Sequence, residues 1–238
     1  MLRLTDIHQH IVFGIDDGAR DFDHARRMLE RAKKQGVGRI VCTSHITPGY
    51  TAIDAVKYSE NLKMLGEYCR QNNLDIELLP GCEILYSSET PTLIENGLKP
   101  YLGASRSVLV EFLTTTTFES LCRAADALAC CGCAAVFAHI ERYSCLDTPE
   151  KIHTLRSVYG VKTQMNAATV ISALRPFGSN LHKKLLYGDL IDVVASDAHN
   201  TTMRPCSLGD AYELIGRKIS PDAADNMCVY APENILDI

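Results

Sequence analysis

Short, nearly continuous apolar runs alternate along this chain with longer segments in which apolar residues recur every three or four positions. Continuous runs are typical of strands buried on both faces of a parallel sheet, and the longer segments are typical of amphipathic helices. The pattern predicts strands at residues 3–10, 37–44, 76–81, 107–112, 134–139, 161–167 and 190–196.

Helical stripes separate several of these strands. The first predicted helix follows Asp21, a residue type that caps helix N-termini, and it ends at Gly36. Others are predicted around residues 58–69, 118–128 and 208–215. This alternation predicts an α/β fold, and both a parallel barrel and an open parallel sheet are consistent with it.

The composition fits one globular domain spanning residues 1–238, since 46% of the residues are hydrophobic and 22% are charged. The formal net charge is −5 and no block is rich in lysine or arginine, so a broad basic face for nucleic acid is not expected. Asp6, His8 and His10 interrupt the first apolar stretch, and no run approaches the roughly 18 apolar residues of a membrane span. A cytoplasmic protein without membrane insertion is expected.

Ten cysteines are scattered through the chain, many of them in apolar segments, which predicts reduced and buried thiols. Cys130 and Cys133 form a Cys-x-x-Cys pair, but no second pair at matching spacing completes a structural zinc site. The pair also follows a helix rather than opening a thioredoxin-like unit. A packing role is therefore predicted for it.

The opening stretch DIHQH places two histidines at alternate positions near the end of the first predicted strand. In a strand His8 and His10 would project to the same face. Two imidazoles that converge in this way indicate a shared cation, although an ordinary pair of half-buried histidines fits this motif equally well. The rest of the chain has to distinguish these alternatives.

Metal-competent residues follow each of the seven predicted strands. In a parallel barrel the carboxyl ends of all strands open onto one rim, where active sites lie, so these side chains are expected to meet. The polar residues at these strand ends are His8, His10, Asp16, Asp17, His45, Glu83, Glu111, His139, Glu141, Arg142, Asn166, Asp197 and His199. The strongest donors among them are His8, His10, Asp17, His45, Glu83, Glu111, His139, Asp197 and His199. Such a mixed set of nitrogen and oxygen donors exceeds one tetrahedral zinc site and predicts two or three metal ions, of manganese, iron or zinc.

Three further histidines lie outside this pattern. His24 and His153 fall in helical segments, and His182 stands beside Lys183 and Lys184. All three are predicted to be surface residues.

The segments DIHQH, DDG, TSH, GCE, VEF, AHIERY and ASDAHN, in this order, resemble the PHP (polymerase and histidinol phosphatase) superfamily. They are most similar to bacterial tyrosine-protein phosphatases that work beside capsular or exopolysaccharide kinases. The resemblance extends from residue 6 to about residue 215. It implies a distorted seven-stranded (β/α) barrel with a trinuclear metal site, often assigned manganese.

By motif position, the resemblance also implies a role for individual residues. Arg142, from HIERY, would bind phosphate, and it is assigned a catalytic role together with His45 and His199. Asp17 matches the ligand position better than Asp16, which would support a ligand instead. The implied metal ligands are His8, His10, Asp17, His45, Glu83, Glu111, His139, Asp197 and His199.

The expected activity is metal-dependent hydrolysis of a phosphate monoester, with the phosphotyrosine of a bacterial kinase tail as the preferred substrate. No cysteine has an arginine six residues later, which argues against a cysteine-dependent phosphatase. Three alternatives remain: a small-metabolite phosphatase such as histidinol phosphatase, a metal-dependent amidohydrolase, and a non-catalytic PHP module. The short loops predicted at residues 46–53, 84–106 and 168–180 favour an open mouth suited to a protein substrate.

Overall fold

A computed structural model describes residues 3–48 and 54–238, so residues 49–53 of one predicted rim loop lie outside the described residues. Seven parallel strands lie side by side in the order in which they occur along the chain. They are β1 (Leu4–Gln9), β2 (Val37–Ile46), β3 (Glu77–Leu85), β4 (Ser107–Glu111), β5 (Ala134–Phe137), β6 (Lys162–Asn166) and β7 (Val193–Ala195). All seven predicted strands are present, and their order is that of the predicted barrel.

Helices connect the strands and cover the outside of the sheet. The helices are α1 (Phe22–Lys34), α2 (Ala55–Gln71), α3 (Thr90–Glu95), α4 (Phe118–Cys130), α5 (Pro149–Ser157), α6 (Ala167–Ala173), α7 (Asn180–Tyr187), α8 (Leu208–Lys218), α9 (Pro221–Asp225) and α10 (Ala231–Ile235). Asp21 caps α1 as predicted, because its Oδ1 accepts the backbone N–H of His24 at 2.8 Å. The helices that the pattern missed are short and offer too few turns for a clear apolar periodicity.

Two groups of apolar side chains hold the fold. The larger group lies between the strands and the surrounding helices. The smaller one, called here the interior cluster, contains residues of alternate strand positions together with the C-terminal helix α10. Its members are Ile7, Val41, Leu102, Leu109, Val136, Ala138, Val193, Ala195, Ile235 and Leu236. These side chains fill the barrel interior, and α10 closes it at the amino ends of the strands, where the Ser107 hydroxyl at the start of β4 donates to the carbonyl of Ile235 at 2.7 Å.

The barrel closes between β1 and the segment that follows β7. The backbone N–H of Asp197 donates to the carbonyl of His8 at 2.8 Å, and that of His10 donates to the carbonyl of Ala198 at 2.9 Å. The pairing of β1 with β2 is irregular between Asp6 and Gln9. The seam that completes the barrel is therefore built from the same short segments that carry the predicted ligands.

Asp6 lies beside this seam rather than with the two histidines that follow it. Its carboxylate accepts the backbone N–H of Ser196 at 2.9 Å and the side-chain amide of Gln9 at 3.2 Å, and burial raises its pKa. Asp6 therefore connects β1 to the end of β7 and contributes no ligand atom to the mouth.

The ten cysteines are all free, and Cys130 is the exposed one among them. Cys133 is buried, as its predicted packing role requires, but the same prediction is wrong for Cys130, which lies at the exposed end of α4. Within residues 3–48 and 54–238, no helix combines the length and apolar character that crossing a membrane requires.

Candidate metal centre

The carboxyl ends of the strands bring all nine predicted metal ligands into one mouth. Three overlapping groups form there, and within each group one donor atom per residue lies within 4.8 Å of the others. The groups are His10, Asp17, His45 and His199; His8, His10 and Asp197; and His45, Glu83 and Glu111. His139 joins them through its Nε2, which lies 2.9 Å from Glu83 Oε1 and 3.7 Å from Glu111 Oε2.

The two histidines of β1 are held with their Nε2 atoms toward the centre. The Nδ1 of His8 lies 3.1 Å from Gln164 Oε1, and the Nδ1 of His10 lies 2.9 Å from Asp16 Oδ2. Both acceptors favour a proton on Nδ1, which leaves the Nε2 lone pairs free for metal. These two Nε2 atoms are only 3.1 Å apart. Two lone pairs at this distance repel each other unless a proton or a cation lies between them.

Glu83 lies at the middle of the mouth and is fully buried. Its Oε2 lies 3.2 Å from His8 Nε2 and 3.1 Å from His45 Nδ1. Burial opposes its ionisation, but the surrounding imidazoles, with His8 first among them, hold the pKa of this carboxyl well below its usual range. Glu83 is therefore a carboxylate at the centre of the donor groups, where it would be available as a ligand.

The arrangement of these donor atoms suits bound metal ions better than it suits hydrogen bonds among the donors themselves. The buried oxygens Glu83 Oε2 and Asp197 Oδ1 have no hydrogen-bond partner, although imidazole nitrogens lie at 3.1 to 3.6 Å from them. Unpaired buried carboxylate oxygens are unfavourable unless a proton or a metal satisfies them. Mixed imidazole and carboxylate donors suit manganese, iron and zinc.

The imidazoles of the mouth differ in their affinity for protons. Burial disfavours the charged form of His10, but the neighbouring carboxylates of Asp16 and Glu83 favour it and raise its pKa to about 10. Burial and the neighbouring His10 lower the pKa of His199 to about 4. Without a bound cation, His10 therefore holds a proton at neutral pH more strongly than His199 does. Metal binding must displace this proton, because a ligating imidazole is neutral.

Two ligand-bearing residues have strained backbones. His139 has φ 33° and Asp197 has φ 52°, both in the left-handed region that non-glycine residues rarely adopt. Such residues cost on the order of 1–3 kcal/mol and persist where the surrounding structure enforces them. Here the strain turns both side chains into the mouth.

Two arginines converge at the rim on the same carboxylate oxygen. Asp197 Oδ2 accepts from Arg142 Nη2 at 2.7 Å and from Arg204 Nη2 at 2.8 Å. Both guanidinium groups are about two-fifths exposed. The sequence predicted Arg142 but missed Arg204, although ASDAHN leads within five residues to this arginine. Its loop is fixed by Asn200, whose Oδ1 accepts the backbone N–H of Arg204 at 2.9 Å.

Other residues of the mouth support the donors. As predicted for it, Asp16 supports His10 rather than joining the donor groups. Asn166 donates its side-chain amide to Asp197 Oδ2 at 2.8 Å, and Glu141 accepts the backbone N–H of Asn166. Gln164, which orients His8, was missed because a buried glutamine on a strand gives no local signal.

One prediction about the remaining histidines is wrong. His24 is only 9% exposed, because its ring packs at the start of α1, where its Nδ1 accepts the backbone N–H of Arg20. His153 is exposed as predicted, and His182 is half-buried.

Comparisons with known proteins agree with this geometry. Residues 4–237 match the model of the family described as capsular polysaccharide synthesis, CpsB/CapC. The chain belongs to this family. It is 33% identical over 239 residues to the tyrosine-protein phosphatase CpsB of Streptococcus pneumoniae, and the alignment covers 98% of each chain.

Solved structures give the same result for the fold. A crystal structure reported for YwqE from Bacillus subtilis and CpsB from Streptococcus pneumoniae, described as unique metal-dependent tyrosine phosphatases, matches with a TM-score of 0.85. The match has 26% identity and covers 98% of this chain and 94% of the other. A Lactococcus lactis histidinol phosphate phosphatase matches with a TM-score of 0.57 and 15% identity over 92% of this chain and 94% of its own, which shows a common fold alone.

These findings confirm the predicted kinship with PHP-type metal-dependent tyrosine phosphatases and the predicted barrel. The assignment of individual ligands is not tested by them and stays a prediction.

Proposed function

We propose that this protein is a metal-dependent phosphatase that hydrolyses phosphotyrosine in a protein substrate. The proposal is supported chiefly by one observation, the convergence of three donor groups and two arginines at one open mouth. The nine predicted ligands would hold two or three metal ions, with manganese as the preferred metal and iron or zinc as alternatives.

Each part of the mouth has a chemical task in this scheme. Metal ions in such a site supply a nucleophile at neutral pH and neutralise charge on the reacting phosphoryl group. Arg142 and Arg204 present planar guanidinium groups that can donate paired hydrogen bonds to phosphoryl oxygens. Asp197 holds both arginines until the substrate offers them other oxygen acceptors. The arginines therefore orient the phosphate for in-line attack.

A cysteine nucleophile is not needed and is poorly placed to act. Cys82 precedes Glu83 on β3, but burial raises the pKa of its thiol to about 12. A thiol with such a pKa carries almost no thiolate at neutral pH. The leaving tyrosinate has a conjugate acid with a pKa of about 10, so it departs with less help from a proton donor than an alkoxide requires.

We further propose the setting of the reaction. Family membership and the names of the relatives support a substrate connected with capsular polysaccharide synthesis, and the tail of a bacterial tyrosine kinase fits that role. Ten free cysteines favour the reducing environment of the cytoplasm. The match over residues 4–237 supports a single domain for residues 1–238.

The test compares two substrates on manganese-loaded protein, a phosphotyrosine peptide and histidinol phosphate. We expect kcat/KM to favour the peptide by at least about tenfold, since the side chains of Asp17, Arg142 and Arg204 at the rim are 38 to 65% exposed and a protein segment can reach them. We also expect His10→Ala and Arg142→Ala to reduce turnover of the peptide at least about a hundredfold. A preference for histidinol phosphate would instead support a small-metabolite phosphatase.

A further inference from the structure

A separate cavity of about 370 Å³ opens beside the metal centre. Asp17 and His199 belong both to its wall and to the donor group described above. Further residues that line it come from the start of α1 and from the loop after β7, and they include Arg20, His24, Arg27 and Thr202. The cavity and the catalytic mouth thus share a boundary, and one peptide can reach both.

Basic side chains dominate the outer part of this cavity. Arg20 lies just before α1, and no carboxylate of residues 3–48 or 54–238 comes within 4.0 Å of its guanidinium group. Arg27 lies on α1 and is paired with Asp23. Of the described residues that line the cavity, Asp17 is the one carboxylate, and its Oδ1 faces His45 and His199 on the side of the metal centre. The outer wall therefore carries unneutralised positive charge.

His24 adds a hydrogen-bond donor to the same wall. Its ring is nine-tenths buried, and its Nδ1 accepts the backbone N–H of Arg20 at 3.3 Å. An imidazole nitrogen that accepts a hydrogen bond carries no proton, so the neutral ring has its proton on Nε2. Within the described residues Nε2 has no hydrogen-bond partner. Burial and the neighbouring arginines lower the pKa of His24, which keeps the ring neutral.

We infer that this cavity is a subsite for an anionic side chain next to the phosphotyrosine that is hydrolysed. An unpaired guanidinium group and the unpartnered Nε2–H of His24 offer positive charge and a directed hydrogen bond, and both suit oxygen anions. The occupant is a glutamate, an aspartate or a second phosphotyrosine of the same peptide. Since Asp17 and His199 line both spaces, it lies within one or two positions of the reacting residue, at about 3.8 Å per residue. The inference rests on the proposed phosphatase function.

The experiment measures kcat/KM of the metal-loaded protein on three sets of phosphotyrosine peptides. One set has neutral residues around the phosphotyrosine, one has glutamates at the two positions on either side, and one has a second phosphotyrosine there. We expect a preference of about threefold to tenfold for the acidic peptides over the neutral ones, because exposed charge pairs contribute modestly. The third set decides between a carboxylate and a second phosphate as the better occupant.

Two variants test the origin of this preference. Arg20→Met should bring the ratio of kcat/KM for acidic and neutral peptides close to one, and Arg20→Glu should invert it in favour of the neutral peptides. Arg70→Met, which removes the same charge from the exposed end of α2, should keep the ratio of the unmodified protein. An unchanged ratio in both Arg20 variants, or equal rates on all three sets, would overturn the subsite. A loaded protein that hydrolyses no phosphotyrosine peptide would overturn the proposed function itself.

Discussion

The two ends of this barrel differ in whether packing alone satisfies the side chains that lie there. At one end apolar side chains fill the interior, and Leu109 of β4 is fully buried among them. Two residues further along the same strand, Glu111 belongs to a donor group at the mouth. The interior cluster is satisfied by packing alone. The mouth holds buried oxygens, Glu83 Oε2 and Asp197 Oδ1, that lack hydrogen-bond partners.

The same sheet therefore has two roles, packing at its apolar end and holding polar donor groups at the mouth. Packing at the apolar end stabilises the fold without any ligand, because it removes hydrocarbon from water. At the mouth, carboxylates and imidazoles are held together against their mutual repulsion and their desolvation. The apolar end therefore stabilises the fold, and the mouth depends on protons or cations.

The largest expected effect is that of removing the metal. Chelation should abolish phosphatase activity and also lower the melting temperature, because ions bound only by the folded state stabilise it by about 2.7 kcal/mol at a hundred times their dissociation constant. Activity and calorimetry before and after addition of manganese measure both effects. Full activity after exhaustive chelation would contradict a metal centre at the mouth.

A substitution at the apolar end should have the opposite profile. Leu102→Ala removes a fully buried side chain of the interior cluster and should reduce the free energy of unfolding by about 2 to 5 kcal/mol. Activity per folded molecule should stay close to that of the unmodified protein. Urea unfolding and an activity assay on the same preparation check this. A stability loss well below about 2 kcal/mol would show that the surrounding side chains close around the site without leaving a cavity.

A smaller effect is expected where a residue only supports a ligand. Asp16→Asn weakens the partner of His10 Nδ1 and should reduce metal affinity about tenfold to a hundredfold, with little change in the stability of the metal-free protein. Titration with manganese followed by calorimetry measures it. Exposed Asp23→Asn on α1 is the matched control. Equal affinities in both variants would show that Asp16 does not act on the centre.

The smallest effect concerns an ion pair away from the mouth. Asp192 accepts from Arg156 at 2.9 and 3.0 Å and from the backbone N–H of Thr163 at 2.9 Å. Burial opposes its ionisation, but these partners outweigh it and lower its pKa. The resulting stability is present above the unfolded pKa of about 3.9 and is lost as the pH falls through the lower folded value.

Asp192→Asn should therefore reduce the free energy of unfolding by about 1 to 2 kcal/mol at pH 7, and this difference should shrink toward pH 3. Urea unfolding of both proteins across this range measures it. A difference that grows on acidification would show that Asp192 is not charged in the folded state at neutral pH.

Several features of the candidate site followed from local sequence. His8 and His10 stand two residues apart near the end of a predicted strand, and Asp197 and His199 repeat this spacing after the last one. Such patterns are visible because side-chain direction in a strand has a period of two residues. The shared direction of parallel strands then places all their ends at one rim. The prediction that Asp16 supports a ligand came from the family resemblance instead.

The strand–helix alternation and the positions of the donors could be read from the chain, because both depend on neighbouring residues. The contacts of Arg204 with Asp197 and of Gln164 with His8, and the position of Arg20 opposite the loop after β7, became visible in the folded protein. These contacts depend on the closure of β1 against the end of β7. A contact between residues far apart in the chain leaves no periodic pattern in either segment, so the fold alone creates it.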